Sequence, residues 1–135
     1  MSTHPLVESF YARIWNSGDE HVHDLLSQDF TFRGSLGTEA HGPGEFLAYV
    51  RSVRSSLGDY HCAILECVTE LPMAFARMLF SGIHVAPFRG FAPTGRQVQW
   101  HGAALFTFRE GLISELWVLG DLAGLDQCLK TNASP

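Results

Sequence analysis

The stretch Gln97-Val98-Gln99-Trp100-His101-Gly102-Ala103-Ala104-Leu105-Phe106-Thr107-Phe108-Arg109 decides the fold. Its even positions Val98, Trp100, Gly102, Ala104, Phe106 and Phe108 are all apolar, and its odd positions are mostly polar, with Gln97, Gln99, His101, Thr107 and Arg109. A period of two puts one set on a dry face and the other on a wet face, which predicts a half-buried antiparallel strand. Glu110-Gly111 supplies a hairpin turn into a last strand, Leu112 to Gly120. Upstream, Met73 to His84 and Tyr60 to Glu70 read as two more long strands with Leu71-Pro72 turning between them. Pro87 to Gly95 is a loop that ends on the tight turn Pro93-Thr94-Gly95.

Towards the N-terminus the period changes. Leu6, Phe10 and Ile14, with Val7, Tyr11 and Trp15 one face over, recur at helical spacing. Asn16-Ser17-Gly18-Asp19 reads as a stop and a restart, with Asp19 as the next N-cap and a short helix through Val22, Leu25 and Leu26. Phe30-Thr31-Phe32-Arg33 predicts a first short strand, and Gly34 to Gly44 a loop that carries His41. Glu45 to about Leu57 is a helix with Phe46, Tyr49, Val50 and Val53 on one side, and Asp121 precedes a C-terminal helix through Leu125 and Leu129. Helices followed by a run of antiparallel strands predict an α+β fold with the helices on one face of a curved sheet.

Length and composition bound the function. One domain, 1–135, accounts for the 135 residues. With 46% hydrophobic and 17% charged residues the chain can build its own core. A net charge of -5 with His neutral argues against nucleic acid or an anionic membrane as partner, since either needs a basic face. No apolar run approaches the roughly 20 residues of a membrane span. Met1-Ser2-Thr3-His4-Pro5 lacks the blocks of a signal peptide, so the expected location is cytoplasmic. Cys62, Cys67 and Cys128 are an odd set without a C-x-x-C spacing, and they read as small buried hydrophobes.

Nucleotide-binding and nucleophile-elbow motifs are absent, as is H-E-x-x-H. His21 and His23 are two apart, which on a helix sets them about 200° from each other, so they read as a solvated face rather than metal ligands. His84 ends a strand among Met78, Phe80 and Phe88; it is either a satisfied core histidine or a general acid/base. Asp121 is either the cap of the last helix or a catalytic base. Tyr11, Trp15, Phe32, Tyr49, Phe88 and Trp100 come from different elements and are either core filler or the walls of an apolar pocket for a small ligand.

Four stretches, taken together, resemble one family. The run Ser81-Gly82-Ile83-His84 with Phe88-Arg89-Gly90-Phe91-Ala92-Pro93-Thr94-Gly95-Arg96 and Val98 is similar to the G-x-H … G-x-P-P-T-G-x-x-V pattern of SnoaL-like polyketide cyclases, a branch of the nuclear transport factor 2-like (NTF2-like) superfamily. Phe10-Tyr11 with Trp15-Asn16-Ser17-Gly18-Asp19 matches the first helix and its stop, and Asp29-Phe30 the first strand. Glu110-Gly111-Leu112-Ile113, Glu115, Trp117, Asp121, Gly124-Leu125 and Gln127 match the closing hairpin and helix.

The resemblance implies a cone-shaped α+β barrel (NTF2-like, cystatin-like) of three helices on a strongly bent antiparallel sheet. It also implies a homodimer through the outer sheet face. The activity it implies is an intramolecular aldol ring closure on a polyketide ester, with no metal and no cofactor. An aspartate would be the acid/base, and Asn, Gln and His side chains would hold the substrate. Carried onto this chain, the aspartate falls at Val118, the histidine at Ala104, the glutamine at Gly102 and the asparagine at Phe32. All four positions are apolar here. The expected pocket is therefore Tyr11, Trp15, Phe32, Tyr49, Phe88, Trp100, Gly102, Ala104 and Val118. Any catalytic group would come from His84, Asp121, Tyr49, Tyr11 or His41. Three readings stand: a cofactor-independent cyclase or isomerase of altered chemistry, a pocket that binds an apolar polyketide-like molecule without turning it over, and a dimeric interaction module.

Overall fold

The computed structural model describes residues 2–35 and 37–134. Met1 and Pro135, the ends of the expected domain, and Leu36 in the expected Gly34–Gly44 loop lie outside the described residues. Helix α1 (Pro5–Ser9) runs on into a π-helical segment (Phe10–Trp15). Then come β1 (Leu26–Arg33), β2 (Glu39–His41), α2 (Pro43–Ser56), β3 (Leu57–Glu70), β4 (Met73–His84), β5 (Gln97–Arg109), β6 (Leu112–Gly120) and α3 (Leu122–Ala133). The strands form a single sheet in the order β2-β1-β6-β5-β4-β3.

β4, β5 and β6 have the bounds that the alternation predicts, and β3 starts at Leu57 rather than Tyr60. The β5–β6 hairpin turns on Glu110 and Gly111, both with positive φ (52° and 78°), the geometry that follows the strand twist. Register shifts in β3–β4 and β5–β6 bend these long strands. One of them, between Ile64 and Glu66, inverts the parity of β3, so Cys62 and Cys67 both point inward although they are five residues apart. Cys128 is only half-buried, and all three thiols are free.

Four expectations need correction. The sheet is mixed: β1 lies parallel to β6, with Thr31 opposite Glu115 and Phe32 opposite Leu116. Side-chain periodicity carries no strand direction, and no hairpin links these two strands. The expected loop after Arg33 contains β2, whose Glu39–His41 pairs antiparallel with β1. The first helix ends as a π-helix, with the Asn16 N–H donating to the Tyr11 carbonyl at 2.9 Å. The short helix through Val22 and Leu26 does not form. Arg13 donates to Asp24 (2.8 Å), to Asp19 (3.2 Å) and to the His21 carbonyl (2.6 Å), which fixes this stretch as an irregular loop. The Leu25 and Leu26 N–H groups both reach the Val22 carbonyl at 2.9 Å, one turn only, and β1 then begins. A single turn is the costly part of a helix.

The helices cover the concave face of the sheet. Phe10 is wholly buried between α2 and β5, with Phe46 at 5.7 Å and Phe106 at 5.4 Å between ring centroids. The convex face carries a row of cross-strand neighbours, Val68, Phe75, Leu105 and Trp117, one from each of β3, β4, β5 and β6. Val68, Phe75 and Trp117 in that row are exposed, as is Leu119 beside it. Among the described residues no helix is long and apolar enough to cross a membrane.

Candidate functional site: a tyrosine-lined pocket

An aromatic-walled pocket lies between the concave face and the helices. Tyr11 and Trp15, four apart, face it from the first helix, and Tyr49 and Val53, also four apart, face it from α2. Leu116 and Val118 share one face of β6, and Phe80 and Trp100 are cross-strand partners on β4 and β5. Phe32, Tyr60 and the backbone turn at Gly34-Ser35 complete the wall. The rings form a belt of edge and tilted contacts: Trp15 to Tyr60 at 5.3 Å, Phe32 to Tyr49 at 5.2 Å, Phe80 to Trp100 at 5.5 Å. The central space is about 40 Å³ for the centre of a water molecule. One water needs on the order of 10–15 Å³ on that scale, so the pocket as it stands takes a group of a few heavy atoms.

The walls are held from outside. The Asn16 side chain donates to the Cys62 carbonyl at 3.1 Å and accepts from the Cys62 N–H at 2.7 Å, which pins the end of the first helix to β3. Arg54 of α2 donates to the Trp15 carbonyl. Glycines set how closely the rings approach. A Cβ on Gly102 would stand 2.4 Å from the Phe80 ring, and one on Gly34 2.7 Å from the Phe32 ring. Phe80 thus occupies the place that a side chain at residue 102 would take.

All three tyrosines of the chain line this pocket, and among the described residues no carboxylate, imidazole, amine or guanidinium does. Burial pushes the Tyr11 phenol well above its ordinary value, with the Cys62 and Cys67 thiols adding to the effect. Burial is also the main cause that raises Tyr60, and it pushes Tyr49 up to about 12. All three phenols are therefore neutral hydrogen-bond donors near pH 7 rather than bases. The Tyr11 hydroxyl is buried and has no hydrogen-bond partner among the described residues.

Six of the nine expected wall residues are in place: Tyr11, Trp15, Phe32, Tyr49, Trp100 and Val118. Phe88, Gly102 and Ala104 are not walls. Phe88 pairs with Phe91 in the loop and lies 6.3 Å from Trp100 by ring centroids. Gly102 is covered by Phe80, and Ala104 is wholly buried beside Val118. Of the five expected catalytic candidates, Tyr11 and Tyr49 line the pocket, and His84, Asp121 and His41 do not. His84 is wholly buried at the end of β4, with Nδ1 at 3.4 Å from Thr94 Oγ1 and no partner for Nε2 among the described residues. Asp121 is exposed and caps α3, accepting from the Gly124 N–H at 2.9 Å. His41 is exposed on β2. Tyr60 and Phe80 escaped sequence reasoning, although Gly102, a gap on an otherwise bulky face, marks where Phe80 inserts. Among the described residues no cluster of three or more His, Cys, Asp or Glu could hold a metal ion.

No curated protein matches the sequence. Among solved structures, TsrD from Streptomyces laurentii is 30% identical with a TM-score of 0.80, over 92% of this chain and 91% of that one. A putative SnoaL-like polyketide cyclase from Jannaschia Sp. CCS1 is 17% identical with a TM-score of 0.84, over 100% and 99%. A hypothetical protein with a ketosteroid isomerase-like fold from Catenulispora acidiphila DSM 44928, in complex with trimethylamine, is 14% identical with a TM-score of 0.80, over 99% and 100%. The likeness of the last two establishes the cone-shaped NTF2-like α+β fold. The family model for SnoaL-like polyketide cyclase matches residues 5–129, and the chain belongs to that family.

Proposed function

We propose that this chain binds a small, largely apolar, polyketide-like molecule in the tyrosine-lined pocket. It does so without the carboxylate-driven chemistry that the family resemblance implies. The observation that carries this reading is the wall itself: three neutral phenols and the Ser35 hydroxyl among apolar side chains, with Phe32 and Val118 at two positions where the resemblance implies polar groups. A ligand group entering here meets aromatic faces and hydrogen-bond donors, and no wall residue is charged to abstract a proton. Family membership supports the polyketide-like class of ligand. Isothermal titration with 2-butanone, a ketone small enough for the free space, tests the reading. Wild-type protein takes up the ketone, and Val118→Trp, which fills the space, does not. Equal uptake by both, or none by the wild type, refutes it.

A homodimer through the convex face belongs to the same reading. The row Val68, Phe75, Leu105 and Trp117 crosses four strands with exposed Phe75 and Trp117 in it. A second copy turned about a two-fold axis offers the same row in return.

A further inference from the structure

Gly102 and Gly120 are cross-strand partners on β5 and β6, so the concave face carries no side chain at this place. The ring of Phe80 reaches across from β4 and fills the notch. A Cβ on Gly102 would stand 2.4 Å from its Cε2 and 3.2 Å from its Cζ, and the Leu119 carbonyl, at 3.0 Å, closes another side. Trp100 lies tilted beside the ring at 5.5 Å between centroids. Gly102 does not have a positive φ, so the strand backbone does not call for glycine here. The space that Phe80 occupies does. Phe80 lines the pocket, whose free space is about 40 Å³. An apolar cavity that takes benzene measures about 150 Å³.

We propose that Phe80 is the size filter of this pocket: lying in the Gly102 notch, its ring fills a ring-sized subsite, so the pocket accepts a short open-chain apolar group and excludes a six-membered ring. The inference rests on the proposed ligand pocket and adds the shape of what enters it. The slot beside Trp100 suits a flat ring, and the chain's own Phe80 already holds it. Residue 102 sets how deep that ring lies. A side chain there would lift the ring off the sheet, towards the helices and the free space between them. Gly102 thus keeps the remaining space open, and Phe80 limits it to a narrow chain.

Isothermal titration with 2-butanone and benzene, an open chain and a ring of similar heavy-atom number, tests this on wild type, Phe80→Ala and Gly102→Ala. Wild-type protein prefers 2-butanone by about tenfold or more, and Phe80→Ala, which vacates the ring's place, reverses the preference. Gly102→Ala weakens 2-butanone by about tenfold or more, because Phe80 moves into the free space. Phe80→Leu lacks the Cε and Cζ atoms that lie over Gly102, keeps an apolar side chain, and serves if Phe80→Ala does not fold. Thermal melts then read the contact without any ligand. Gly102→Ala lowers Tm by several degrees in the wild type and by much less in Phe80→Leu. Equal Tm losses in the two backgrounds overturn the inference. So does the same preference between benzene and 2-butanone in wild type and the Phe80 variants, or an unchanged 2-butanone affinity in Gly102→Ala. These outcomes leave the pocket itself intact. Failure of wild type to bind 2-butanone removes the pocket reading, and the size filter with it.

Discussion

The side-chain amide of Asn16 stands in for a strand next to Cys62, donating to its carbonyl at 3.1 Å and accepting from its N–H at 2.7 Å. Asn16 closes the π-helical segment, and Cys62 lies on β3 beside Tyr60. Two pocket walls, the first helix and β3, are thus coupled through a single side chain.

Replacing Asn16 with Ala strands both Cys62 backbone groups in a half-buried setting. Asn16→Ala costs about 2 kcal/mol of unfolding free energy. Urea denaturation measures it. A cost near zero would mean that solvent replaces the clamp.

Tyr11→Phe goes the other way. It removes a buried hydroxyl without a partner and keeps the ring. The variant gains about 1 kcal/mol in the absence of ligand, seen as a Tm higher by about 2–8 °C in calorimetry. A lower Tm would show that the hydroxyl has a stabilising partner.

Gly102→Ala brings a methyl group to 2.4 Å from the Phe80 ring. Phe80 must swing from its place on the pocket wall, at a cost of about 1–3 kcal/mol. Ketone affinity changes with it. An unchanged Tm and an unchanged affinity together would place Phe80 elsewhere.

Asp121 acts as a cap. Asp121→Asn keeps an oxygen for the Gly124 N–H and is near neutral, whereas Asp121→Ala costs about 1 kcal/mol. Ligand affinity stays constant in both. Loss of binding in Asp121→Asn at unchanged stability would return this carboxylate to the functional site.

On the convex face, Phe75→Lys or Leu105→Lys puts a charge in the middle of the apolar row. The expected result in sedimentation velocity is a dimer for the wild type and monomers for both variants. Dimers that survive both changes place the interface elsewhere.

Much of this fold was legible because strand alternation is local. The dry face of β5 is written residue by residue, and the same signal bounds β4 and β6. What escaped is long-range or sits between periods. The direction of β1 against β6 depends on partners far apart in the chain. The bulge that turns both Cys62 and Cys67 inward leaves no mark in the alternation. Val22, Leu25 and Leu26 are buried as their apolar character suggests, yet Arg13 decides that they do so without a helix. In the site, the aromatic positions were readable from their faces. The roles of Tyr60 and Phe80 depend on space left by another residue, Gly102 in the case of Phe80, which no single segment reveals.

The parallel pairing of β1 with β6 has a consequence for how the chain comes off the ribosome. Phe32 emerges early, but its neighbour Leu116 is among the last strand residues to be made. Helices and the β3–β4–β5 meander can assemble in order of synthesis, while Leu26–Arg33 waits with only the three residues of β2 beside it. The aromatic-walled pocket is consequently completed late in translation. A chain halted before Leu112 holds every aromatic residue of the wall and lacks Leu116 and Val118, which complete it.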